Sequence, residues 1–145
     1  MPVAVAHATR ISADPPENAT LTAGPARVSA TFNEQLQTTF AAMTVVGPDG
    51  NVWSTGEPHV QGATVSVGVR PLGPVGTYTV NYRVASADGH VVSGSWSFRL
   101  TVPGSGPPGP PAAGADTREP LPLWLVMAGA LVAVGAGALW AARRR

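Results

Sequence analysis

The sequence predicts an all-β domain over residues 7–102, followed by a linker and one membrane-crossing helix. Turn formers recur at short spacing, from Asp14-Pro15-Pro16 through Gly24-Pro25, Gly47-Pro48-Asp49-Gly50, Gly56, Gly62, Gly73-Pro74 and Gly76 to Asp88-Gly89. Between them apolar and polar residues alternate, the period of a strand with one buried face. Apart from Thr38 to Ala42, which reads as a brief helical turn, nothing in this region follows a helical period. About seven short strands with turns every ~8–12 residues match an immunoglobulin-like Greek-key sandwich or barrel.

The N-terminal Met1-Pro2-Val3-Ala4-Val5-Ala6 is apolar and uncharged. Ala4-Val5-Ala6 has the small-x-small form of a signal-peptidase site. Residues 1–6 therefore read as the remnant of an export signal cut directly before His7, with a small disordered N-terminus as the plainer alternative. Val28, Ala30 and Phe32 then alternate with Arg27, Ser29, Thr31 and Asn33. Met43, Val45, Trp53, Val65, Val67 and Val69 belong to further runs, and Pro48-Asp49-Gly50 between them reads as a hairpin turn. Tyr78, Val80, Tyr82 and Val84 make one apolar face; Trp96, Phe98 and Leu100 repeat the pattern. The expected core is built on Phe32, Trp53, Tyr78, Tyr82, Trp96 and Phe98, because each enclosed aromatic buries roughly 150–250 Å².

Residues 103–122 are rich in proline and glycine. They are expected neither to pack a core nor to pair as a strand, and to act as a partly stiff linker. Residues 123–142 carry no charge, and as a helix at ~1.5 Å per residue they match a ~30 Å hydrocarbon layer. Trp124 and Trp140 lie near the two ends, and Arg143-Arg144-Arg145 comes next, which places the C-terminus in the cytoplasm. The β domain is then expected on the extracytoplasmic side, in agreement with an export signal at the other end.

Cysteine is absent, which excludes disulfides, thiolate metal sites and cysteine nucleophiles. The formal net charge is +1, with no basic patch and no basic-aromatic groove, so nucleic-acid binding is not expected. The three histidines and the scattered serines form no Ser/His/Asp signature.

The chemistry gathers at Ser86-Ala87-Asp88-Gly89-His90 and at His7. In an extended strand, residues two apart share a face, so Asp88 and His90 are expected to offer an oxygen and a nitrogen donor side by side. A polar hairpin turn is the alternative reading. If His7 opens the mature chain, its imidazole and α-amine add two more donors. Three nitrogens and one oxygen suit Cu(II); Zn(II) accepts the same donors but prefers a tetrahedron. Amine and imidazole ligate only when deprotonated, and their free values are about 7.7–8.0 and about 6.5, so affinity is expected to weaken below about pH 6. His59, beside Pro58, is expected to be an exposed loop residue.

His7 after Ala-x-Ala, then Pro15, Leu21 and Val28-Ser29-Ala30-Thr31-Phe32-Asn33-Glu34, resembles a known pattern. It continues through Gly76-Thr77-Tyr78-Thr79-Val80 and Ser86-Ala87-Asp88-Gly89-His90, with Gly94 and Trp96-Ser97-Phe98 closing it. This combination is similar to the CopC copper-resistance domain, over about His7 to Val102. The resemblance implies an immunoglobulin-like β-barrel of the exported space that binds Cu(II) through His7, Asp88 and His90. Glu34 matches an acidic residue that in some members lies near the copper, as a neighbouring carboxylate or a weak ligand. The resemblance also implies a role in copper sequestration or delivery, with a CopD-type permease as partner. Met1, Met43 and Met127 do not form the methionine-rich loop that holds Cu(I) in some members, so no Cu(I) site is expected. Two other functions stay open: a histidine-brace copper oxidase or monooxygenase, and a metal-free adhesion or spacer domain.

Overall fold

The computed structural model describes residues 7–113, so residues 1–6, the later part of the linker, the expected membrane span at 123–142 and the arginine tail lie outside the described residues. Among the described residues no helix is long and apolar enough to cross a membrane. The strands are β1 (Arg10–Asp14), β2 (Thr20–Leu21), β3 (Arg27–Phe32), β4 (Leu36–Val46), β5 (Ser54–Gln61), β6 (Thr64–Val69), β7 (Gly76–Ser86) and β8 (Val91–Leu100). They form two four-stranded sheets, β1-β3-β6-β5 and β2-β8-β7-β4. Only β5–β6 and β7–β8 are hairpins within a sheet; the other connections cross between sheets.

The alternation in the sequence becomes the inner face of this sandwich. Val28, Val45, Val65, Val67, Val80 and Val84 are fully enclosed, as are Trp53 and Tyr78. Tyr82 is partly buried at the margin. Tyr78 stacks on Phe98 at 5.6 Å between ring centroids, and the edge of Trp53 meets Tyr78 at 6.0 Å. The polar tips of Tyr78, Trp96 and Trp53 each have a partner, as burial demands. The Tyr78 hydroxyl donates to Pro74 O at 2.7 Å, Trp96 Nε1 to Pro15 O at 2.9 Å, and Trp53 Nε1 to Asp49 Oδ1 at 3.0 Å.

Three expectations change. The Thr38–Ala42 segment is strand, not a helical turn. Leu36 faces Ser86 and Ala41 faces Val84, so residues 37–40 bulge out of β4. Thr38, Thr39 and Phe40 are β-branched or aromatic and prefer a pleated surface to a helix. His59 is exposed but lies on β5 opposite Ser66, rather than in a loop.

The third change is the largest. The expected domain end at Val102 is not where the chain leaves the sandwich. Gly104 N donates to Gly73 O at 2.8 Å, Gly106 N to Leu72 O at 3.1 Å, Val52 N to Pro110 O at 2.8 Å and Ala112 N to Gly50 O at 3.0 Å. Asn51 and Pro111 form a bridge. Residues 103–112 are thus a strap docked on the domain. Its glycines explain how proline-rich chain can dock: a Cβ at Gly104, Gly106 or Gly109 would stand 1.9, 1.6 or 2.0 Å from the carbonyl oxygen of Leu72, Pro71 or Val52.

Strand direction separates two poles. At about 3.3 Å per residue, the eleven residues of β7 span some 33 Å. The turns before β7, between β4 and β5, and the strap lie at one pole. The N-terminal segment, the β3–β4 loop and the β7–β8 turn lie at the other.

At the strap pole, the Pro48-Asp49-Gly50 turn forms as expected, with Gly50 N donating to Gly47 O at 3.0 Å. Burial tends to raise the Asp49 carboxyl, but hydrogen bonds from Trp53 and Asn51 outweigh it and hold the group below the usual carboxylate range. A depressed native value contributes stability above the unfolded value of about 3.9, lost as pH falls through the native one. Asp49→Ala is therefore expected to lower the melting temperature at pH 7 and to flatten its fall below about pH 4, as thermal melts followed by tryptophan fluorescence would show.

Candidate metal centre

The distal pole is assembled by one loop that holds two others. Ala8 is buried in the core and anchors the N-terminal segment. Thr9 N donates to Asn33 Oδ1 at 2.8 Å and Asn33 N donates back to Thr9 O at 3.0 Å. Thr9 Oγ1 donates to His7 O at 3.3 Å. Two residues further on, Gln35 O accepts from Ala87 N at 3.0 Å, tying the same loop to the β7–β8 turn. Asn33 thus places His7, and Gln35 places Asp88 and His90. Glu34 sits between them, half-buried, with Oε1 enclosed and unpartnered among the described residues.

Asp88 and His90 meet through a turn, not through strand alternation. Gly89 has φ of 92°, in the left-handed region that disfavours a side chain. Gly89 N donates to Ser86 O and Ser86 N to His90 O, each at 2.9 Å. This closure folds the His90 ring back onto Asp88, with Nδ1 at 2.8 Å from Oδ2. The other carboxylate oxygen, Oδ1, accepts from Ser86 Oγ and from His90 N, the latter at 3.3 Å.

The Ser86 hydrogen bond, with those from His90 behind it, lowers the Asp88 carboxyl to about 2. An ionised Asp88 only accepts, so His90 Nδ1 is the donor of the pair, and in the neutral ring Nε2 then carries the free lone pair. Because the native value is depressed, this contact stabilises the turn above the unfolded value near 4, and that contribution is lost between about pH 4 and 2. Amide-exchange protection factors at Gly89 and His90 in metal-free protein are expected to fall across that window. Unchanged protection down to pH 2 would contradict the assignment.

His7 completes the group. Its ring meets that of His90 edge to face, with centroids 5.2 Å apart and planes at 88°. The structure thus brings His7 and Asp88 each into contact with His90, and Glu34 lies in the Asn33-to-Gln35 loop that ties their segments together. It does not gather three donors around a common point: among the described residues no group of three or more such side chains is so placed. The facing atoms of Asp88 and His90 are spent on each other, and both side chains remain about half exposed, at 49% and 47%. Ser86, Asn33 and Gln35 were not marked as site residues by sequence reasoning. Only Ser86 carried a signal, its place two residues before Asp88. Its hydroxyl is enclosed in the core and donates to Asp88, so it is not presented to a substrate as a nucleophile.

Comparison with known protein families matches residues 10–101 to the CopC domain. The chain belongs to the CopC family. This CopC-family chain is 31% identical over 98 residues to Protein YobA of Escherichia coli (strain K12), covering 66% of this chain and 79% of that protein. It is 30% identical over 98 residues to Copper transport protein CutJ of Bacillus subtilis (strain 168), across 66% of this chain but 18% of CutJ. Among solved structures, CopC from Methylosinus trichosporium OB3b superposes with a TM-score of 0.58 at 23% identity, over 66% of this chain and 95% of that one. PcoC, a methionine-rich copper resistance protein from Escherichia coli, gives 0.55 at 22% identity, over 66% and 100%. These two share the fold. In the present CopC-family chain, Met43 is buried in the core.

Proposed function

We propose that this chain is an extracytoplasmic Cu(II)-binding protein, which sequesters copper or passes it to a membrane permease of CopD type or to copper proteins. The observation that carries the reading is the contact of the His7 and His90 rings, from opposite ends of the domain, beside an ionised Asp88. A free amine at His7, two imidazoles and one carboxylate are borderline donors of the kind Cu(II) selects. Glu34, in the loop between Asn33 and Gln35, has an enclosed Oε1 with no protein partner among the described residues. Copper is the cargo: His7 and His90 would hold it, Asp88 would ligate it or orient His90, and Glu34 would offset its charge. The copper-related names of relatives support the metal chosen.

The apolar run at 123–142, flanked by Trp124, Trp140 and three arginines, supports a single-pass anchor with the C-terminus in the cytoplasm. Within the described residues, the strap docks at the pole opposite the histidines. Resistance to alkaline extraction from membranes, with the β domain open to external protease, is the expected result for the full chain.

The deciding experiment is competitive Cu(II) titration of protein beginning at His7, with Zn(II) and Cu(I) as comparison ions. Selective Cu(II) binding at one equivalent, abolished by His90→Ala, is expected. Absence of Cu(II) binding would leave the metal-free spacer as the better reading.

A further inference from the structure

Ser86 is the one polar residue fully buried in the sandwich among the described residues. It ends β7 opposite Leu36, where the apolar face of the strand would otherwise continue. Enclosing a hydroxyl costs roughly 1–3 kcal/mol when it is left without a partner. Here Oγ has two acceptors, Asp88 Oδ1 and, at 3.3 Å, His90 O. Its backbone closes the same turn on both sides, through N to His90 O and through O to Gly89 N.

The geometry points to Ser86 as the positioning residue of the copper site, a role that rests on the Cu(II) reading above. Ser86 pins one oxygen of Asp88 from inside the core. With His90 N also on Oδ1, rotation of the carboxylate is restricted and Oδ2 is left to meet the His90 ring. Oδ2 in turn accepts from His90 Nδ1, which leaves Nε2 as the free nitrogen of a ring that meets His7 edge to face. Groups that orient a metal's ligands without touching the ion are commonly worth 10- to 100-fold in affinity. A buried, geometrically fixed donor lets two half-exposed side chains keep one arrangement before the ion arrives, so less ordering remains to be done on binding.

The test uses protein beginning at His7, with Ser86→Ala and the pair Ser86→Thr and Ser86→Val. Thr and Val have one shape and differ in the hydroxyl, so this pair stays informative if the alanine variant folds poorly. Cu(II) affinity is expected to fall roughly tenfold or more in Ser86→Ala and Ser86→Val, and to be largely restored in Ser86→Thr. In an Asp88→Ala background the same Ser86 changes are expected to cost nothing, because Ser86 acts through Asp88. Nitrogen-15 spectra of the metal-free His90 ring should show the Nδ1–H tautomer in the parent and a mixture in Ser86→Val. Equal Cu(II) affinity in the Thr and Val variants would overturn the inference while leaving the copper site intact, as would an undiminished effect of Ser86 in the Asp88→Ala background. Failure of the parent itself to bind Cu(II) would instead remove the reading on which both depend.

Discussion

Protein that begins at His7 is expected to bind Cu(II) at least ~100-fold more tightly than the same chain retaining residues 1–6, a loss above the range typical of indirect effects. With the leader in place, His7 N is an amide, which offers no lone pair comparable to an amine. The chain then presents two imidazoles and one carboxylate, and Asp88 is already engaged by Ser86 and His90. Release of the amine adds a strong donor adjacent to the His7 imidazole, so both can chelate one ion. The ring contact at 5.2 Å brings His90 to that chelate with little movement. Isothermal titration against a competing chelator measures the ratio. A retained leader with undiminished affinity would show that the amine is not a ligand.

The second large effect lies at the other pole. Gly106→Val is expected to destabilise the domain by about 2–4 kcal/mol and to lower its melting temperature by roughly 10 °C or more. The added Cβ would stand 1.6 Å from the Pro71 carbonyl oxygen, so the strap must lift. Four backbone hydrogen bonds, from Gly104, Gly106, Val52 and Ala112, go with it. Leu72 and the ring of Trp53 lie beneath: a Cβ at Gly73 would come within 3.0 Å of both Gly106 O and the Trp53 ring. Thermal unfolding followed by tryptophan emission should report lower stability with a red-shifted native spectrum. Truncation after Val102 should do the same, and an unchanged melting curve in both would mean that the strap contributes nothing. Copper affinity at the distant site should change little at temperatures where the variant is folded.

The contrast between these sites separates what local pattern encodes from what packing encodes. Strand identity was legible because burial on one face imposes a two-residue period, and Tyr78 to Val84 and Trp96 to Leu100 follow it without interruption. The strap was not. Proline and glycine composition signals the absence of a core-forming pattern, and an unpatterned stretch reads the same whether free or docked. Its docking is decided by carbonyls of Leu72, Pro71 and Val52, which belong to other segments and reach it only once the sheets have packed. The bulge at residues 37–40 was hidden likewise, because the partner residues that set its register lie on β7.

At the proposed copper site, the sequence by itself supplied the candidate donors. The residue types and spacing of His7, Asp88 and His90 fix which atoms exist to bind an ion, as composition fixes that none of them is sulfur from cysteine. The tertiary structure decided their arrangement. Gly89 turns Asp88 and His90 toward each other, the Asn33-to-Gln35 loop holds His7 and the β7–β8 turn at one pole, and Ser86 reaches Asp88 from within the core. Chemical identity is local to a residue and is written in the chain. Contact between distant residues depends on the packing of two sheets, which no single stretch of sequence contains.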